Sequence, residues 1–246
     1  MPRRDLLGAR TSGGMTLIEL MIVVLIIGVI GSVAVPNVMA ARAKNNETAA
    51  IQTLRTLSTS QEQFQAGVRA DVDADGVGEF GLMRELSGAA PVRTSDTGGS
   101  TGPALTPALL SSSFGAMNAD GEVVRAGFHF KVFLPGENGK AMGERSLTKL
   151  ESSGPTSIDS DLCERMWGGY AWPALGEGMG TRTFFVNQDG KMTQADVQDD
   201  TQRGANGVRV SNAGSALAPG YVTASLMGSA VLGGTSRDGR TWIRVR

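Results

Sequence analysis

The stretch SGGMTLIELMIVVLIIG, residues 12–28, decides how this chain is organised, because it sets one carboxylate in an apolar run. Glu19 is the only ionisable side chain between Met15 and Ala41. From residue 20 to residue 41 there are 22 consecutive uncharged residues, close to the ~20 that cross a hydrocarbon core as a helix. A carboxylate in a bilayer costs at least about 2 kcal/mol. The run therefore predicts a membrane-spanning helix, and the cost of its single charge indicates that Glu19 has a functional role.

The residues before this run carry a net charge of +2, from three arginines and one aspartate. A basic head stays on the cytoplasmic side, which places the rest of the chain outside the cytoplasm. One alternative is a secretory signal peptide cleaved at a small-residue site such as Ala41-Arg42-Ala43. A twin-arginine signal beginning at Arg3-Arg4 matches its motif only in part. Neither alternative explains Glu19, because a signal peptide gains nothing from a carboxylate in its apolar region.

The sequence Gly14-Met15-Thr16-Leu17-Ile18-Glu19 resembles the leader junction of type IV pilins and of the pseudopilins of type II secretion. In that family a membrane peptidase cuts directly after the glycine and the new first residue is N-methylated. The resemblance implies cleavage between Gly14 and Met15, methylation of Met15, and an assembly role for Glu19 as the fifth mature residue. Methionine replaces the commoner phenylalanine at the first mature position. The family also tends to break its helix with a proline about twenty residues further on, and Pro36 stands 21 residues after Met15.

Cleavage at this junction would explain the isolated carboxylate in physical terms. It creates a cationic amine on Met15, four residues before Glu19. When subunits pack their helices into a filament core, Glu19 can pair with the Met15 amine of a neighbour. A buried charge without its partner is strongly unfavourable, so assembly would depend on this pair.

The resemblance, which implies the leader boundary, and the pattern after the apolar run together predict a four-part organisation. Residues 1–14 are a leader, 15–41 a transmembrane and assembly helix, 42–66 an amphipathic helix, and 67–246 a globular β-rich domain. Apolar side chains, with one glutamine, recur at helical spacing in the second helix, and Gly67 is a stop signal. That stripe predicts packing on a sheet, with a coiled-coil partner as the alternative; its members are Ile51, Leu54, Leu57, Gln61 and Phe64.

The downstream region reads as short strands and turns, in keeping with its 34 glycines. Apolar and polar residues alternate from 128 to 134, a hairpin is predicted over 183–193, and a terminal strand over 241–245. His129 is predicted on the solvent face of its strand. A core or strand-edge cluster is predicted for Trp167, Tyr170 and Trp172, with a sugar-binding platform as the alternative. The fold class is therefore α+β: a long N-terminal helix packed on a C-terminal antiparallel sheet, the arrangement that the resemblance implies.

A run of alternating carboxylates follows the second helix. Asp71, Asp73 and Asp75 precede Gly76, and Glu79 stands three residues further on, as in a calcium-binding loop. The twelfth loop position is Leu82, where an EF-hand needs a bidentate glutamate. Two interpretations therefore stay open: a calcium site formed by the four carboxylates, or a solvated acidic turn. Calcium is the only cofactor that the sequence suggests.

Composition narrows the function. A net charge of −1 gives no indication of nucleic-acid binding, and one cysteine and one histidine leave no zinc site and make a catalytic triad improbable. The leading hypothesis is a pilin-like structural subunit of a type II secretion pseudopilus or type IV pilus. The alternatives are a minor or tip pilin that binds a substrate, DNA or a surface, and a membrane-anchored enzyme, for which no catalytic motif was found.

The resemblance also implies partners and a location. The partners are the prepilin peptidase and methyltransferase, other pilin or pseudopilin subunits, and an inner-membrane assembly platform. The expected location is the inner membrane, as a single-pass protein whose C-terminal domain lies outside the cytoplasm. From there the subunit would enter a periplasmic or extracellular filament.

Overall fold

A computed structural model describes residues 14–97, 102–136, 139–145, 149–150, 157–174, 179–196, 203–204, 207–208, 234–236 and 240–245. The chain divides into two compact units, Met1–Ala41 and Arg42–Arg246. Most of the predicted leader, residues 1–13, lies outside the described residues.

The described part contains one long helix, two short ones and many short strands. The helices are α1 (Leu17–Ala66), α2 (Met83–Leu86) and α3 (Ser160–Cys163), with a 3₁₀ turn at Ser112–Gly115. The strands are β1 (Val123–Arg125), β2 (Phe128–Pro135), β3 (Ala141–Arg145), β4 (Lys149–Leu150), β5 (Gly168–Pro173), β6 (Arg182–Asn187), β7 (Thr193–Asp196), β8 (Arg203–Gly204), β9 (Gly207–Val208), β10 (Gly234–Thr235) and β11 (Thr241–Arg244).

The first unit contains the apolar part of α1, and its large apolar side chains are exposed to the surroundings. Among the described residues, α1 is the one helix long and apolar enough to cross a membrane. The break expected at Pro36 is not present, because α1 continues through this residue. The Asn37 amide donates to the Val33 carbonyl at 3.0 Å in the turn that contains the proline.

The second unit is built on an antiparallel sheet, with strands in the order β10-β11-β7-β6-β5-β2-β3-β4 and β1 paired to β2. The predicted hairpin is confirmed, since β6 and β7 pair in the register Phe185↔Thr193. The terminal strand is confirmed as β11, which pairs with β7. Strands β8 and β9 form a separate two-stranded ribbon. The α+β class is therefore the observed one.

The part of α1 in this unit packs on one face of the sheet. Three apolar members of the predicted stripe are fully buried in one core with the alternate β2 side chains. Gln61 is buried with them because its amide bonds both backbone groups of Gly81, donating to the carbonyl and accepting from the N–H at 2.8 Å each. The Gln61 side chain thus bonds the Gly81 backbone as a neighbouring strand would. The three apolar members are Leu54, Leu57 and Phe64.

The opposite face of the sheet carries a second, aromatic cluster of Tyr170, Trp172, Phe185 and Trp242 with Ala195. The prediction that His129 faces solvent is wrong, because its ring stacks on Trp172 with centroids 5.7 Å apart and an interplanar angle of 6°. Its Nδ1 lies 2.9 Å from the carboxylate of Glu122, which is also buried. The alternation of β2 placed His129 on the correct face of the sheet, but that face is covered by the aromatic cluster and is not exposed to solvent.

A partly buried ion pair joins α1 to the start of β6. Glu47 accepts from the Nε of Arg182 at 2.9 Å and from the backbone N–H of Thr181 at 2.9 Å. Next to them Gly180 adopts a φ of 141°, and a Cβ there would lie 2.8 Å from the ring of Phe128. This corner therefore requires glycine on steric grounds as well as for its backbone conformation.

Removing residues 1–42 should release a soluble, folded domain. The deletion removes the exposed apolar side chains of the first unit and keeps the core, whose first helical member is Ala50. We expect a monodisperse protein with a cooperative urea transition and a near-UV circular dichroism signal from its buried tryptophans. The undeleted chain, run as the control, should stay in the membrane fraction. Aggregation with a molten near-UV spectrum would mean that the boundary is wrong.

Candidate functional site

The predicted cleavage junction lies in non-helical chain immediately before α1. Gly14, Met15 and Thr16 are exposed and outside the helix, which begins at Leu17. Apart from its two neighbours in the chain, no described residue has an atom within 4 Å of the position that a Cβ on Gly14 would occupy. In the described part of the chain the Gly14–Met15 bond is therefore exposed and uncrowded, a geometry that a peptidase can use.

Glu19 closes the first turn of α1 on Thr16. One carboxylate oxygen, Oε2, accepts from the backbone N–H and from the hydroxyl of Thr16, at 2.8 Å each. The Glu19 N–H donates back to the Thr16 Oγ1 at 3.3 Å. This reciprocal arrangement is a capping box, with Thr16 as N-cap and Glu19 three residues later.

The role of Thr16 was missed from the sequence, although its signal was present. A threonine three residues before a glutamate at the start of an apolar helix is the sequence signature of a capping box. The predicted pairing of Glu19 with the Met15 amine needs a processed, neighbouring subunit, so it stays a prediction.

The acidic turn brings three of its four predicted ligands together. Single carboxylate oxygens of Asp71, Asp73 and Asp75 lie within 4.8 Å of one another. The Asp71 carboxylate accepts from the N–H groups of Asp75 and Gly76, at 3.1 and 3.2 Å. Gly76 takes a φ of 89°, which lets the chain turn sharply between the carboxylates.

Glu79, the fourth predicted ligand, does not lie with these three. Its carboxylate is fully buried and points away, accepting from the Val72 N–H at 2.8 Å and from the Arg93 guanidinium at 2.6 Å. A second group does form at the turn, because Asp73 also lies within 4.8 Å of Asp161 and Glu164. Asp161 lies in α3 and Glu164 is the residue after it. Both are far from Asp73 in sequence, so no local motif could have predicted that they meet.

The local excess of negative charge alters the titration of this surface. Desolvation raises the pKa of Asp73, and the charges of Asp75, Glu79 and Asp71 raise it further. Desolvation likewise raises the pKa of Glu164, with Asp75, Asp73 and Asp161 as the charged contributors. A cation bound at the turn would reduce the repulsion between these carboxylates. Solvation by water and screening by salt would reduce it as well.

Calcium binding therefore stays a prediction, with the solvated turn as its alternative. On the calcium interpretation, millimolar calcium should raise the thermal midpoint of the truncated domain, since a ligand that binds only the folded state stabilises it. Asp73→Asn should abolish that increase, because Asp73 belongs to both groups. The exposed Asp189→Asn, on the β6–β7 turn, is the matched control. If calorimetric titration with calcium gives no heat of binding and the thermal midpoint does not change, the turn is a solvated one.

A buried charge network lies beneath the turn. The Arg93 side chain bonds Glu79, the carboxylate of Glu85 at 2.7 Å and the Phe80 carbonyl at 2.6 Å. Burial and the charge of Glu85 raise the pKa of the nearby Glu144 to about 8. Every charged group of this network is more than nine-tenths buried. These residues hold the α2 region onto the rest of the domain.

The helix and the site together define a class of protein: an α+β protein with a membrane-spanning N-terminal helix that begins directly after an exposed, non-helical segment. The sequence model described as the prokaryotic N-terminal methylation motif matches residues 9–35. The chain is also 39% identical over 72 residues to the type IV major pilin protein PilA of Myxococcus xanthus, covering 29% of this chain and 32% of that protein. It is 41% identical over 56 residues to the type IV wide pilus major component PilA4 of Thermus thermophilus, covering 23% of this chain and 43% of that protein.

The N-terminal part of the chain thus carries the prokaryotic N-terminal methylation motif and is similar to two type IV pilins. It spans less than half the length of either relative. No solved structure matches it significantly.

Proposed function

We propose that this protein is a structural subunit of a type IV pilus or a type II secretion pseudopilus, processed after Gly14 and assembled through α1. One observation carries the proposal: α1 begins two residues after an exposed Gly14–Met15 junction, holds one carboxylate in its first turn and exposes the apolar side chains of its first half. A continuous run of exposed apolar side chains of this length needs a bilayer or other helices around it. Membrane residence followed by filament assembly supplies both environments in turn.

The pilus is the favoured filament, because both relatives are named as major components of type IV pili. Incorporation along the fibre is favoured over a tip position, because Glu19 offers the charge that a neighbour's amine needs. The alternative is a minor or tip pilin that binds a substrate, DNA or a surface. Immunogold labelling of sheared fibres separates the two: label along the length supports the proposal, and label at fibre ends alone supports the alternative.

The remaining parts of the proposal follow from this role. The basic N-terminal residues keep the start of the chain in the cytoplasm, so the domain lies outside it. The partners are a prepilin peptidase and methyltransferase, other pilin subunits and an inner-membrane platform. The role is structural and not enzymatic, in keeping with relatives that are pilins.

The processed protein should begin with N-methyl-Met15. The glycine at position 14 leaves room for a peptidase, and the junction is exposed. Intact-mass spectrometry of membrane-extracted protein should give the mass of residues 15–246 plus one methyl group. Gly14→Val, in which a branched side chain crowds the junction, should leave the precursor uncut, whereas Gly13→Ala is the neighbouring control. A mature start at or beyond Ala41 would contradict the proposal.

A further inference from the structure

We propose that Thr16 is a positioning residue for assembly, which orients the Glu19 carboxylate so that one oxygen is held within the subunit and the other faces a neighbour. The inference rests on the proposed function. Both bonds from Thr16 end on the same atom, Glu19 Oε2, at 2.8 Å. Among the described residues no group donates to Glu19 Oε1. The first turn therefore presents one carboxylate oxygen in a defined direction.

The capping box persists through processing. Thr16 and Glu19 both lie on the C-terminal side of the Gly14–Met15 bond, and Thr16 keeps its peptide N–H after that bond is cut. The unassembled subunit thus carries two hydrogen bonds to its lone carboxylate while it resides in the membrane. Hydrogen bonds to a charged group are about twice as strong as neutral ones, so they offset part of the desolvation of Glu19. A neighbour's cationic amine then completes the coordination through the open oxygen.

A purely structural cap makes a different prediction. As an ordinary N-cap, the Thr16 hydroxyl would stabilise α1 by accepting the Glu19 N–H, a backbone bond that does not need the carboxylate. Its loss would then have the same effect with or without the Glu19 side chain. If Thr16 positions the carboxylate, loss of its hydroxyl should matter only when Glu19 is present, because without the carboxylate there is nothing for Thr16 to orient.

The test is a double-mutant cycle on the full-length chain. Epitope-tagged Thr16→Val, Thr16→Ser and Glu19→Ala subunits, and the Thr16→Val/Glu19→Ala pair, are co-expressed with excess untagged wild type in the native host. The excess keeps incorporation of weak variants measurable. Tagged subunit in sheared fibres is expressed per processed subunit in the membrane. Valine matches the shape of threonine without its hydroxyl, and serine keeps the hydroxyl.

We expect Thr16→Val to lower incorporation about tenfold, the size of one lost bond to a charged group, with Thr16→Ser close to wild type. In the Glu19→Ala background Thr16→Val should cause no further loss. Wild-type incorporation of Thr16→Val, or an equal loss in both backgrounds, would overturn the inference. If Glu19→Ala is defective and Thr16→Val is not, the positioning role of Thr16 is wrong while the assembly role of Glu19 stands. Normal incorporation of Glu19→Ala itself would instead overturn the assembly role of Glu19 in the proposed function.

Discussion

Glu19→Ala should leave processing and membrane residence intact and nearly abolish incorporation into filaments. The substitution keeps Gly14 and makes the apolar run more apolar, so the precursor should still be cut and retained. In the filament, however, the Met15 amine of a neighbour would be buried without its counter-charge. A buried pair broken in this way costs roughly 3–5 kcal/mol per subunit. The measurement compares subunits in sheared fibres, with processing followed by gel shift.

Two further variants define what the carboxylate does. Glu19→Asp should be nearly as defective, because its carboxylate is one methylene shorter and no longer reaches the same partners. Glu62→Ala is the matched control, since Glu62 is an exposed carboxylate on the same helix, in the second unit. If Glu19→Ala subunits enter fibres as well as wild type, the carboxylate has no assembly role and a tip or non-fibre function gains support.

Arg93→Met should destabilise the truncated domain by roughly 3–5 kcal/mol, because it leaves two buried carboxylates without a cation. Arg93 is 2% exposed and bonds Glu79 and Glu85 through its guanidinium at 2.6 and 2.7 Å. Methionine keeps most of the side-chain volume, so the loss reports on charge and hydrogen bonding and not on a cavity. Urea unfolding at pH 7 gives the free energy of unfolding for both proteins.

The pH dependence of this loss identifies its cause. Protonation neutralises a carboxylate, so lowering the pH removes the unpaired buried charge that Arg93→Met leaves and restores stability. The difference between variant and parent should therefore shrink toward about pH 4, the ordinary range of carboxyl groups. Arg55→Met, which removes an exposed arginine from α1, should change stability by less than about 0.5 kcal/mol. A loss independent of pH would point to packing and not to unpaired charge.

The elements that could be predicted from the sequence are those with local signals. The apolar run, its single charge and the glycine junction lie within consecutive residues, and they predicted an anchor helix and the similarity to type IV pilins. Helical spacing identified the buried face of α1, and alternation identified β2, the β6–β7 hairpin and β11. Each depends on the period of one element, 3.6 or 2 residues, which does not require knowledge of its partners.

What the local pattern missed depends on partners distant in sequence. Glu79 was read with its neighbours as a calcium ligand, but it pairs with Arg93, a cation fourteen residues away. His129 was assigned to the outer face, but that face is buried beneath a second layer, where Trp172 stacks on its ring.

The sequence by itself thus determined that an apolar helix with one carboxylate begins beside a glycine junction and leads into an α+β domain. Only the tertiary structure decided which charges are buried in pairs, which face of the sheet is covered, and that Asp161 and Glu164 join Asp73 at the acidic turn. The physical reason is that hydropathy and period are properties of one segment. The energy of a buried charge is set by whatever the fold places within a few ångströms of it.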